Sequence, residues 1–253
     1  MIRLVLRITL GLALGFAAGI GAFGATIAAP GFAFAHARGA DGITFHANNP
    51  LPPEAEDIAR QISAELDASI LGRGDSELSL FVTEGGWRDA LFFSSVRQVG
   101  GIVYVPMTSS HAFLTGADFA GNRLKKGNYV IKGSRTLVYY GVHELAHIRT
   151  YERTGPLAFH ALPMWVQEGL AEYVALGAPD AAGWDIALSN RPTTVAAQRR
   201  LGAAYPRERA LVAWAVEHAG WSLDKLLDTR LTEAEILDRM RADMAVAGSA
   251  DDA

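Results

Sequence analysis

The run His143-Glu144-Leu145-Ala146-His147 constrains this chain more than any other stretch, because two histidines four residues apart share one face of a helix. The surrounding text is helical too. Ser134 is a candidate N-cap, apolar residues follow, and Thr154-Gly155-Pro156 is a stop signal, so a helix is predicted over 134–153. On that face both imidazoles can reach one metal ion. Glu144, one residue beyond the first histidine, falls beside a metal-activated water instead of on the metal, which makes it the candidate general base.

A zinc site of this kind needs a third protein ligand and an open position for water. The candidate lies in Pro163-Met164-Trp165-Val166-Gln167-Glu168-Gly169-Leu170-Ala171-Glu172-Tyr173, which reads as a second helix that begins at Pro163 and ends at Gly177. Glu168 is the predicted ligand for a single Zn2+. Glu172 falls one turn later on the same face, positioned to accept the spare N–H of a liganding histidine, His143, and so to fix its tautomer.

The N-terminus has the character of an export signal. Arg3 and Arg7 precede an uncharged apolar stretch, 8–35, which runs into His36-Ala37-Arg38. Residues 1–37 have two readings. Ala33-Phe34-Ala35 and Ala35-His36-Ala37 both offer small residues to a signal peptidase, whereas the length of the stretch and the GxxxG spacing of Gly11, Gly15 and Gly19 suit an uncleaved membrane anchor. Either way the rest of the chain is expected outside the cytoplasm, periplasmic, secreted or membrane-tethered. Loss of 1–37 removes two arginines and takes the formal charge from −4 to −6. With 23 basic and 27 acidic residues and no basic cluster, the composition argues against a nucleic-acid partner. The chain has no cysteine, which excludes thiol catalysis, cysteine-ligated zinc and disulfide staples.

Glycine, asparagine and proline mark 38–53 as a linker, 54–247 as the folded domain and the small, acidic 248–253 as a disordered tail. Within the domain, Ile58, Ile62, Leu66 and Ile70 recur at spacing four and predict an amphipathic helix over 54–71. Runs at 78–82 and 102–105 read as strands, and 108–132 as loops around short strands such as 129–131. A further helix is expected from Tyr205 or Pro206 to just before Gly220, and Thr232 with Glu235 forms a capping box for a last one. The expected fold is α+β, with a small mixed sheet in the N-terminal part and a mostly helical C-terminal part that holds the metal between two helices. Tyr139, Tyr140, Trp165, Trp214 and Trp221 are assigned to the core. Of His111, His160 and His218, only His160 lies between the two metal-binding helices in sequence.

Over 134–220 the chain resembles the gluzincin metallopeptidases, and especially the peptidase MA-like domains, in which a Trp-x-x-Glu-Gly-x-Ala signature follows HExxH. The resemblance implies a thermolysin-like fold with Glu168 as third zinc ligand, Glu172 as its outer partner, and a peptide or protein as substrate. It also implies a role for Tyr205: followed by Ala210 and Leu211, it is similar to the tyrosine that stabilises the oxyanion in the aminopeptidase branch. The Gly-x-Met-Glu-Asn strand of that branch is missing, so aminopeptidase activity is not expected. In related domains a strand beside the zinc helices binds the substrate backbone; 102–105 and part of 108–132 are both candidates here. Two alternative functions remain at this stage: a non-catalytic envelope binding or assembly module on the same scaffold, and a zinc hydrolase of a non-peptide amide.

Overall fold

Asp41 and Gly42, both at positive φ, turn the chain tightly between strands β1 (His36–Ala40) and β2 (Ile43–Ala47). The computed structural model describes residues 19 and 21–250 apart from 95–98, 128, 132, 134 and 190–192. An Asp-Gly pair suits a two-residue hairpin, because both turn positions need left-handed backbone. This corrects the expectation of a linker over 38–53. Ile43, Phe45 and Ala47 alternate inward along β2 and are buried, so this segment belongs to the core.

After β2, helix α1 (Glu54–Ala68) crosses back to β3 (Leu78–Val82), which pairs in parallel with β2. Ile58, Ile62 and Leu66 on α1 are buried, as the spacing-four pattern predicts. Helix α2 (Gly86–Phe92) follows. The sheet is completed by β4 (Gly101–Ile102) and β5 (His111–Leu114), in the order β1-β2-β3-β5-β4. Parallel and antiparallel pairs coexist, so the sheet is mixed as expected. The run at 102–105 contributes only Ile102 to a strand, whereas 108–132, expected to hold short strands such as 129–131 among loops, contributes β5 to the sheet. All four β5 residues are buried, so no apolar-polar alternation marks it in sequence. Short strands β6 (Ala117–Asp118), β7 (Arg123–Lys126) and β8 (Tyr129–Val130) form a second, antiparallel set.

The chain is then almost wholly helical. Helix α3 (Leu137–Thr154) carries the HExxH run, and its N-cap is Thr136, whose hydroxyl accepts from Tyr139 N at 3.0 Å. Ser134, the expected cap, lies outside the described residues. A short α4 (Pro156–Ala161) leads into α5 (Met164–Leu176), which packs against α3. Helices α6 (Ala181–Leu188) and α7 (Val195–Leu201) follow, then α8 (Pro206–Ala213), which continues into a π-helical turn at Trp214–His218. Helices α9 (Leu223–Asp228) and α10 (Glu233–Ala250) close the fold. The capping box is formed: Thr232 N donates to Glu235 Oε2 at 2.7 Å and Glu235 N to Thr232 Oγ1 at 3.3 Å. Helix α10 runs through Ala250, past the point where a disordered tail was expected, and 251–253 lie outside the described residues.

Most of the leader stretch, including Gly11 and Gly15, also lies outside the described residues. Residues 21–28 are helical, Pro30–Ala33 form a 3-10 turn, and β1 starts at His36. Among the described residues no helix is long and apolar enough to cross a membrane. The larger core lies between the five-stranded sheet and the helices, and includes Trp165, Trp214 and Trp221. A smaller, aromatic core covers the opposite face of β3 and β5.

Candidate metal centre

Tyr139, His143 and His147 follow one another at spacing four on α3, and Glu168 and Glu172 do so on the facing α5. The two rows meet. His143 Nε2 lies 3.4 Å and His147 Nε2 3.7 Å from Glu168 Oε2. One ligand atom from each of His143, His147 and Glu168 lies within 4.8 Å of the other two, so the three form a triad able to hold a metal ion. Two imidazole nitrogens and a carboxylate oxygen fit a divalent cation of borderline softness.

On its other side α5 packs closely on α8, and Gly169, next to Glu168, allows this. A Cβ at Gly169 would stand 2.3 Å from the carbonyl oxygen of Glu208, so any side chain there would force α5 and α8 apart. Glu144 is held in a comparable way. A Cβ at Gly101 would stand 2.5 Å from Glu144 Oε1, so the glycine of β4 leaves room for the carboxylate. This also identifies which edge flanks the site. Strand β4 is the end strand of the sheet, and Gly101, Ile102 and Val103 line the same cleft of about 490 Å³ as His143, Glu144, His147, Glu168 and Tyr205.

Glu172 is fully buried and joins three parts of the site. Its Oε1 accepts from the hydroxyl of Tyr139, from Ala204 N at 2.9 Å and from Tyr205 N at 3.3 Å. His143 Nδ1 stands 3.8 Å from the same oxygen, longer than the expected hydrogen bond, and neither Nδ1 nor Glu172 Oε2 has a hydrogen-bond partner. Tyr139 therefore does more than pack, and its position one turn before His143 is the sequence signal for that. Tyr205 is held at the start of α8 with its ring parallel to that of His143, the centroids 6.3 Å apart. Arg135, which the sequence reading did not single out, lies over the rings of Tyr139 and Tyr140 at 6.0 and 5.6 Å and lines the cleft.

The remaining histidines stay out of the cleft. His160 is exposed at the end of α4, and its neighbour Phe159 lines the cleft instead. His218 is exposed with its ring against Trp184, and His111 is buried on the far face of the sheet.

Burial and charge set the protonation of the site. Burial pushes the Glu144 carboxyl up to about 7; His143 pulls against this and Glu168 adds to it. Burial holds His147 down at about 4, so its ring is neutral and free to ligate. Burial opposes charge on His143 as well, but the carboxylates of Glu168, Glu144 and Glu172 outweigh it and hold its pKa above the ordinary value. Burial, followed by the carboxylates of Glu168 and Glu144, pushes Tyr205 up to about 12, so its hydroxyl stays protonated.

The raised pKa of Glu144 has a testable cost. The folded, metal-free protein binds this proton more tightly than the unfolded chain does, so stability falls as pH rises from 4.5 to about 7. The penalty is complete above that window and converts to roughly 3 kcal/mol. Metal-free Glu144→Gln is therefore expected to melt above wild type at pH 8, with the gap closing as pH falls toward 4.5. Coincident melting curves at pH 8 would contradict the buried, charged state of Glu144.

Comparisons against protein-family models, curated proteins and solved structures return no match to this chain.

Proposed function

We propose that this chain is a zinc-dependent metallopeptidase of the gluzincin type that acts outside the cytoplasm. The observation that carries the reading is that Glu144, a buried carboxylate, shares a cleft with the triad but is not one of its ligands. Such a group is suited to move protons at working pH. A non-catalytic module has no use for it.

His143, His147 and Glu168 would hold one zinc ion. When bound, zinc supplies Lewis-acid polarisation of the scissile carbonyl and of the attacking water. Glu144 takes the proton of that water and delivers it to the leaving nitrogen. Tyr205, protonated and fixed by the contact of its backbone N–H with Glu172, donates to the developing oxyanion. The side of β4 without a strand partner among the described residues offers backbone groups to an extended peptide, as in strand addition at a sheet edge. The wall of Ile102, Val103 and Phe159 receives apolar side chains.

The test is hydrolysis of a quenched-fluorescence peptide mixture by the zinc-loaded full chain, with cell-wall amides assayed in parallel. Peptide cleavage that a chelator stops and added zinc restores is expected. Cleavage of the cell-wall amides alone would move the substrate class, and one bound zinc with no turnover of either would favour the binding module.

A further inference from the structure

Residues 27–34 belong by sequence to the leader, yet they pack as core. Ile27 is fully buried, and Ala33 and Phe34 nearly so, in a cluster with Phe81, Phe92, Phe93 and Phe113. The ring of Phe34 lies 4.9 Å from that of Phe81 and 5.7 Å from that of Phe92. Polar contacts fasten the same segment. His111 Nε2 lies 2.8 Å from the carbonyl oxygen of Ile27, and its Nδ1 lies 2.9 Å from Thr108 Oγ1. Each ring nitrogen thus has a partner, with Nε2–H donating to Ile27 and Nδ1 accepting from the threonine. Arg88 Nε donates to the carbonyl oxygen of Ala33 at 2.6 Å, and the same guanidinium donates to Asn48 Oδ1 at 2.6 Å.

A cut after Ala35 or Ala37 would release this segment. It would open the cover over Phe81, Phe92 and Phe113, and leave a buried His111 N–H without its acceptor, a cost comparable to a lost buried hydrogen bond. The damage would reach the cleft. Phe113 of β5 pairs with Ile102 of β4, and the Tyr104 hydroxyl donates to the carbonyl oxygen of Phe92, so this cluster backs the strand that walls the metal site.

We propose that residues 27–34 are a permanent part of the folded domain, so that the apolar stretch ahead of them is retained and holds the domain against a lipid bilayer. The stretch is long enough after this loan to the core. From Ile8 to Thr26 it has 19 uncharged residues, which as a helix would reach about 28 Å at 1.5 Å per residue, close to the thickness of a bilayer's hydrocarbon core. Arg3 and Arg7 ahead of it hold that end on the cytoplasmic side. Phe23 meets Tyr104 edge to face at 6.0 Å, which brings the domain up to the stretch, and exposed Phe32 and Trp87 beside the same segment are aromatics of the interfacial kind.

The full chain with a C-terminal tag, expressed in a bacterial host, tests this by intact mass and by alkaline carbonate extraction of membranes. Residues 1–37 are expected in the mass, with the protein kept in the membrane pellet. A mature chain that begins at His36 or Arg38 and is released as soluble protein would overturn the proposal. Full-length Phe34→Ala in detergent is expected to melt about 10 °C below wild type, or to fail to fold, whereas Phe32→Ala shifts by less than about 2 °C. Equal melting of the two variants would also overturn it, because Phe34 would then carry no packing.

Discussion

Glu144→Gln is expected to bind zinc as wild type does and to lose turnover by about 10²–10⁴-fold, the range of a general base removed from a site whose other parts remain. Gln keeps the size of the side chain, so the space that Gly101 leaves in front of residue 144 stays filled. What changes is the proton. A carboxylate beside the triad takes a proton from water and returns it, while an amide does neither. The measurement is kcat on the best peptide of the mixture, together with zinc content by elemental analysis. Turnover within a few-fold of wild type would refute the mechanism. Loss of zinc along with turnover would instead show that Glu144 supports the metal site. The same variant is predicted to be the more stable protein without metal at pH 8, so activity and stability should move in opposite directions, as at sites that hold a strained charge for function.

Glu168→Ala is expected to weaken zinc binding by at least about 10³-fold, beyond the 10–100-fold typical of partners one shell farther out. Glu168 Oε2 is the atom that both His143 Nε2 and His147 Nε2 face, at 3.4 and 3.7 Å. Without it two imidazoles remain, and two ligands do not make a hydrolytic site. Glu172→Gln is the informative comparison. Glu172 lies behind His143 and joins Tyr139 to the backbone at Ala204 and Tyr205, so the milder loss is expected there, together with lower kcat through Tyr205. Competition with a chromophoric chelator measures both affinities. Undiminished affinity in Glu168→Ala, with loss in Glu172→Gln, would reverse the two roles.

Much of the site was legible in the sequence because it rests on one local distance. Spacing four on a helix places His143 over His147 and Glu168 over Glu172 whatever the rest of the chain does. The capping box at Thr232 and the buried face of Ile58, Ile62 and Leu66 are local in the same sense. Strands were harder to read. Strands β4 and β8 are two residues long, and β5 is buried on both faces, so none carries a period that marks it. The Asp41-Gly42 turn was a readable hairpin signal that the neighbouring glycines, asparagines and prolines disguised as a linker.

By itself, then, the sequence determined two amphipathic rows of ligand-type side chains, their helices, and the identity of the residues able to take and give protons. The tertiary structure alone decided the rest. It brought α5 against α3, and against α8 by way of Gly169, set Gly101 before Glu144, tied Tyr205 to Glu172, and placed Ile27 and Phe34 in the core that backs the cleft wall. Those contacts join residues far apart in the chain. Their geometry follows from which surfaces pack together, and no local periodicity encodes that.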